Sequence, residues 1–147
     1  MNLINMGVTL MLLTSSYAMA AEEISVYRSP TCSCCGQWLE HIKQHHFAIK
    51  DIVTDDVETI KRKYNVISSL ASCHTAIINQ YVIEGHVPAT DIEKLLKIKP
   101  KNIIGLTVPG MPIGTPGMEM GGKKQAYDVL SFDENGKTAI FSHHSGN

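Results

Sequence analysis

The sequence predicts an α/β sandwich in the order β-α-β-α-β-β-α, followed by a loop rich in Met, Pro and Gly and a C-terminal hairpin. Three observations carry that expectation. Short β-branched runs alternate with helical patterns through the first two thirds of the chain. The third and fourth of these runs are separated only by Asn79-Gln80, which is a hairpin signal. Between Val108 and Gly122 lie Pro109, Pro112, Pro116 and the glycines 110, 114, 117, 121 and 122, a composition that excludes helix and regular strand. With 147 residues the chain has the size of one domain.

Taken in order, Ile24 to Tyr27 is a β-branched and aromatic run that Arg28-Ser29-Pro30 ends. Gln37 to His45 has good helix formers, with Trp38 and Ile42 on one side. Ala48 to Val53 alternates as a second strand. Asp55-Asp56 then precedes a capped helix from Val57 to Tyr64, whose basic residues complement the dipole of its last turn. Cys73 to Ile78 and Tyr81 to Glu84 form the hairpin, and Thr90 is placed to cap a helix from Asp91 to Lys97. This is the thioredoxin order. Tyr127 to Phe132 and Thr138 to Ser142 close the chain as a second hairpin around Asp133-Glu134-Asn135-Gly136.

The N-terminus has a different character. Met1 to Ala20 has no charged side chain, and its apolar stretch from Met6 to Leu13 is far too short to span a bilayer. With Ala18-Met19-Ala20 as a small-x-small cleavage site, residues 1–20 read as a signal peptide, despite the absence of Lys or Arg ahead of the apolar stretch. The mature chain then runs from Ala21 to Asn147 as one metal-binding domain in the periplasm or cell envelope, with no membrane span. A formal net charge of −1, with both signs interspersed, leaves no basic face for nucleic acid.

Export sharpens the meaning of the four cysteines, because an oxidising compartment turns spare thiols into disulfides unless a metal or redox partner holds them. Cys32-Ser33-Cys34-Cys35 crowds three of them into a strand-to-helix turn, where cross-links would staple almost no loop. Cys32 and Cys35 have C-x-x-C spacing at a helix start, which suits either a redox disulfide or a soft-metal site. The extra thiol of Cys34 favours metal, since three thiolates from one turn can bridge more than one ion. Cys73 opens the third strand, which such a topology brings beside the first helix, and is read as a fourth thiolate against the alternative of a small buried hydrophobe. Met111, Met118 and Met120 display thioethers on the Pro/Gly loop, and soft sulfur selects Cu(I) over Zn²⁺. His86, in Glu84-Gly85-His86-Val87-Pro88, is a further candidate ligand, and His74 stands beside Cys73. His41, His45 and His46 are placed on a solvated helix face, and His143 and His144 in a polar tail. None of these five is assigned to the site.

Four motifs, in order along the chain, carry a resemblance. They are Tyr27-x-Ser29-Pro30-Thr31-Cys32-x-Cys34-Cys35-Gly36-x-Trp38; Ser72-Cys73-His74-Thr75-Ala76; Tyr81-Val82-Ile83-Glu84-Gly85-His86-Val87-Pro88-Ala89; and the run from Gly105 through Pro109-Gly110-Met111-Pro112 to Pro116-Gly117-Met118. The sequence resembles the CopG-like copper-resistance family, domain of unknown function 411, over essentially the whole mature chain. The resemblance implies an envelope copper-binding protein with a thioredoxin-like fold, holding Cu(I) on Cys32, Cys34 and Cys35, with Cys73, Met111 and Met118 matching further motifs. Copper ions and other envelope copper-handling proteins are the implied partners. It also implies an alternative, a thiol or copper oxidoreductase using the same cysteines. Ser33 stands where Gly is common in the family, a departure that removes no ligand.

Overall fold

The computed structural model describes residues 21–147, so the expected signal peptide lies outside the described residues. The chain forms a mixed α/β fold on one seven-stranded sheet. Strand β1 (Glu23–Arg28) leads into α1 (Ser33–Gln44), then β2 (Ala48–Val53), α2 (Val57–Lys63) and a single 3-10 turn at Ser68–Leu70. Strands β3 (His74–Ile78) and β4 (Tyr81–Glu84) follow, then α3 (Ala89–Ile98), β5 (Gly105–Thr107), β6 (Tyr127–Phe132) and β7 (Thr138–His144). Across the sheet the order is β2-β1-β3-β4-β5-β6-β7. β1 runs parallel to β2, and β4 to β5; all other neighbours are antiparallel. Among the described residues no helix is long and apolar enough to cross a membrane.

Alternation along the central strands divides the interior in two. Ile24, Val26, Ala76, Ile78 and Ile83 face a large core shared with Trp38, Leu39 and Ile42 of α1 and Ile92 and Leu95 of α3. Ile77 and Val82 belong instead to a smaller cluster with Val66, Leu70 and Phe132. Each large aliphatic side chain buried in this way contributes roughly 1.5–3 kcal/mol of transfer free energy, which holds the two helix-bearing faces on the sheet.

Several elements differ from the sequence expectation. Helix α1 begins at Ser33, inside the cysteine turn. Helix α3 begins at Ala89 with Pro88 as its N-cap, so Thr90 lies inside the helix; the Ala89 N–H donates to His41 Nε2 at 3.0 Å instead. Strand β5 was not expected. It is three residues long and opens on Gly105, where a Cβ would collide with the Val82 carbonyl, so close pairing with β4 requires a residue that weakens the strand signal. Through β5 the C-terminal hairpin continues the main sheet. Its last strand extends to His144, so His143 and His144 are strand residues rather than a tail: His143 meets Asp128 at 2.6 Å, and His144 meets Asp91 at 2.8 Å and stacks on Tyr127.

Candidate metal centre

The first arm of the site is local. After β1, Ser29-Pro30-Thr31 turns the chain, with Cys32 N donating to Ser29 O at 3.2 Å, and Cys32 becomes the N-cap of α1. Cys34 and Cys35 therefore lie in the first helical turn, where backbone N–H groups lack intrahelical acceptors and favour negative charge. Cys35 is fully buried, Cys32 and Cys34 partly so. A disulfide joins Cys32 to Cys35, leaving Cys34 and Cys73 as free thiols. The Cys34 sulfur lies 3.6 Å from that of Cys32.

The second arm is assembled by the sheet. Cys73 immediately precedes β3, and its sulfur lies 3.1 Å from His74 Nδ1 and 3.0 Å from His86 Nε2. Both imidazoles are fully buried. His86 Nδ1 donates to Pro116 O at 2.7 Å, which leaves Nε2 with the lone pair and aims it at Cys73. The Cys73 thiol then donates to His86, and His74 Nδ1–H donates to the Cys73 sulfur. His74 Nε2 is buried with no hydrogen-bond partner, beside the Trp38 ring at 4.4 Å between centroids.

Burial dominates the electrostatics here. It lowers the His86 pKa and holds that of His74 well below its usual range, so both rings are neutral. The Cys73 thiol is pushed up to about 12, first by burial and then by neighbouring Cys34. In the metal-free protein Cys73 is thus a neutral thiol among neutral imidazoles, and a metal binding there must displace its proton.

The Met-bearing loop closes over both arms. A Cβ at Gly117, where φ is +86°, would lie 2.7 Å from Trp38 N and 3.0 Å from Cys34 O, so the loop rests directly on the first turn of α1. Met118, next to it, is partly buried. Met111 and Met120 are 50% and 57% exposed. Met111 follows Gly110, whose carbonyl accepts from the Ser72 hydroxyl and whose N–H donates to Ala71 O at 3.3 Å.

The structure thus brings Cys32, Cys34, Cys35 and Cys73 together, with ligand atoms all within 4.8 Å of one another. Cys73, His74 and His86 form a second group that meets the same limit and shares Cys73. His41 and His45 have rings 4.9 Å apart, as their spacing suggested, but the His41 Nε2 lone pair is spent on Ala89 N–H and His45 Nδ1 pairs with Glu93 at 3.0 Å.

Sequence reasoning missed the buried charges beneath Cys73. Lys61 of α2 is ion-paired with Glu84, and both are buried. The Glu84 carboxylate also accepts from Thr75 Oγ1 at 2.6 Å and Ser72 N at 2.7 Å. Burial pushes its pKa up, while Lys61 and these hydrogen bonds oppose that rise. A signal did exist: Lys61 follows Val57 by four residues, on the same buried helix face, and Glu84 ends a strand whose other residues are apolar.

The fold and the site define a mixed α/β protein whose thiol and imidazole side chains converge as a group able to hold a metal ion. Two solved structures are similar over nearly their whole length. "Copper resistance protein copG- Form 1" is 38% identical, with 86% of this chain and 99% of that one covered, at a TM-score of 0.81. "Copper resistance protein copG- Form 2" is 37% identical, with 84% and 98% covered, at a TM-score of 0.80. Residues 70–118 match the family described as "Protein of unknown function, DUF411", and no curated protein matches the sequence. The chain belongs to the CopG-like copper-resistance family.

Proposed function

We propose that this chain is an exported protein of the periplasm or cell envelope that binds Cu(I) on Cys32, Cys34, Cys35 and Cys73 and serves copper resistance. The observation that carries the reading is the convergence of four cysteine sulfurs within 4.8 Å. Crowded thiolates are soft, bridging ligands, which favours Cu(I) over Zn²⁺ and gives room for more than one ion. His86, with its Nε2 lone pair aimed at Cys73, and the thioethers of Met111 and Met118 extend the donor set. The two solved relatives, each named as a copper resistance protein, support copper as the cargo. Residues 21–147 work as a single thioredoxin-like domain, a reading supported by the β-α-β-α-β-β-α order and the β2-β1-β3-β4 half of the sheet. The uncharged segment ahead of Ala21 supports export. Loading all four sulfurs requires that the Cys32–Cys35 disulfide first be reduced by a dithiol reductant, which supplies two electrons and itself becomes a disulfide, leaving Cys32 and Cys35 as thiolates.

Competition of the reduced, anaerobic protein against a calibrated Cu(I) chelator tests the reading. More than one Cu(I) per chain, retained against Zn²⁺, is expected. Substoichiometric copper, or Zn²⁺ displacing it, rejects the copper assignment. Mass spectrometry of the envelope fraction should find Ala21 as the first residue.

The same disulfide favours a second reading, a thiol or copper oxidoreductase that cycles Cys32 and Cys35. Under that reading Cys34→Ser keeps the attacking and resolving sulfurs, and insulin-type disulfide reduction survives the change. We expect weak reductase turnover in the wild type and loss of copper binding in Cys34→Ser.

A further inference from the structure

We infer that Glu84, seated on Lys61, is a positioning residue for Cys73: its carboxylate clamps the Ser72 backbone and so fixes where the Cys73 sulfur lies. The inference takes its functional meaning from the copper reading, but its first readout needs no metal.

Glu84 is 0% and Lys61 4% exposed, so the pair is wholly inside the protein. Burying two charges gains little stability over an apolar pair of equal volume, because desolvation offsets their attraction. An apolar pair, however, cannot accept a hydrogen bond. Glu84 accepts three: from the Lys61 ammonium, from the Thr75 hydroxyl at 2.6 Å and from Ser72 N–H at 2.7 Å. Lys61 in turn also donates to Thr75 Oγ1 at 3.2 Å. Two of the three donors are built into neighbouring elements, α2 and β3. Only the Ser72 N–H comes from the irregular segment that delivers Cys73.

The rest of that segment is held at the same point. The Ser72 hydroxyl donates to Gly110 O, linking it to the loop that carries Met111. Gly85, at φ +74°, lies so close that a Cβ there would run into the Ser72 side chain and approach Val108 O to 2.9 Å. Ser72 is therefore gripped by the Glu84 carboxylate at the end of β4, by the bare backbone of Gly85 just after it, and from the loop by Gly110. Cys73 is the next residue, and its sulfur has to meet His86 Nε2 at 3.0 Å and the α1 thiols together. A small swing at Ser72 moves that sulfur away from both groups.

Two double variants of the full chain separate the clamp from the charge. In K61M/E84Q the side-chain amide oxygen can still accept from Ser72 N–H; in K61M/E84L nothing can. The metal-free protein, with its Cys32–Cys35 disulfide intact, is treated with iodoacetamide, and alkylation at Cys73 is followed by peptide mass spectrometry. K61M/E84L is expected to raise the Cys73 rate about tenfold and to weaken Cu(I) affinity about tenfold or more, the usual scale for groups that orient a metal ligand. K61M/E84Q is expected to stay within about threefold of wild type in both. Unchanged Cys73 alkylation in folded K61M/E84L, or equal loosening in the two variants, overturns the inference. Should K61M/E84L fail to fold, amide exchange in the wild type decides: the Ser72 N–H should be protected like those of β3 and β4, and free exchange there overturns the clamp. A Cys73 rate that responds in a protein binding no Cu(I) upholds the clamp and rejects the copper reading alone.

Discussion

The two arms of the candidate centre are built in opposite ways. Cys32, Cys34 and Cys35 are neighbours in sequence, delivered by one turn between β1 and α1. Cys73, His74 and His86 meet only because β3 and β4 pair, with Gly85 N donating to His74 O at 2.9 Å and Pro116, from a distant loop, orienting His86. The first arm is partly open, whereas the imidazoles of the second are closed off completely. A local turn can crowd sulfurs at little topological cost. Placing one more sulfur at a fixed distance from them takes a sheet, a buried ion pair and a loop laid across the top.

Exchanging one sulfur in each arm gives the largest effect. Under the proposed copper reading, Cys34→Ser and Cys73→Ser should each remove about one Cu(I) equivalent or collapse loading altogether, because each would take away a bridging sulfur. Chelator competition and copper tolerance of cells check this, and a mild Cys73→Ser phenotype would reduce the centre to its local arm. Next in size is Gly117→Ala, which pushes a methyl group into the α1 backbone at a positive φ. It should destabilise the protein by about 2 kcal/mol, lowering the melting temperature by roughly 5–10 °C. The Met118 segment should also lift from the first arm, with faster alkylation at Cys34.

A smaller effect tests the helix that joins the arms. His41 of α1 accepts from Ala89 N–H, just beyond the His86 segment, and its pKa is lowered, mainly by burial and then by His45. The unfolded chain therefore binds this proton more readily. The contribution of neutral His41 is fully present above about pH 6.5 and declines as the pH falls below that, toward the folded pKa. His41→Gln should flatten that part of the pH dependence, measured as the urea midpoint at about pH 7.5 and pH 5. An unchanged slope would remove His41 as the link. Least of all should follow from the thioethers: Met118→Leu conserves volume and should lower Cu(I) affinity by about tenfold or less, with Met111→Leu weaker still because Met111 is the more exposed.

What was legible in the sequence follows the same division. The C-x-C-C turn, the hairpin at Asn79-Gln80 and the Pro/Gly loop could be read directly because each is a local pattern. β4 and β6 fall where alternation and turn signals place them. The grouping of Cys73 with the turn follows from topology, and His86 from its approach to the same end of the sheet. Strand β5 was hidden because Gly105 makes a poor strand former in isolation and is required only by its neighbour Val82. Lys61 and Glu84 were hidden for a related reason: a basic residue in a last helical turn reads as a solvated dipole partner until its apolar face is known. The His41 cap depends on a helix forty-eight positions away and leaves no local trace.

Among the described residues the sheet ends at β2 and β7, and each end carries a device against further growth. At β2 the charged Lys50 and Asp51 are exposed in mid-strand, and Arg28 holds Asp51 through two hydrogen bonds of 2.8 and 2.7 Å. At β7 the pairing with β6 shifts register between Val129 and Leu130, an irregularity that twists an edge out of plane. Charge on one rim and a kink on the other make each edge a poorer template for pairing with a second chain.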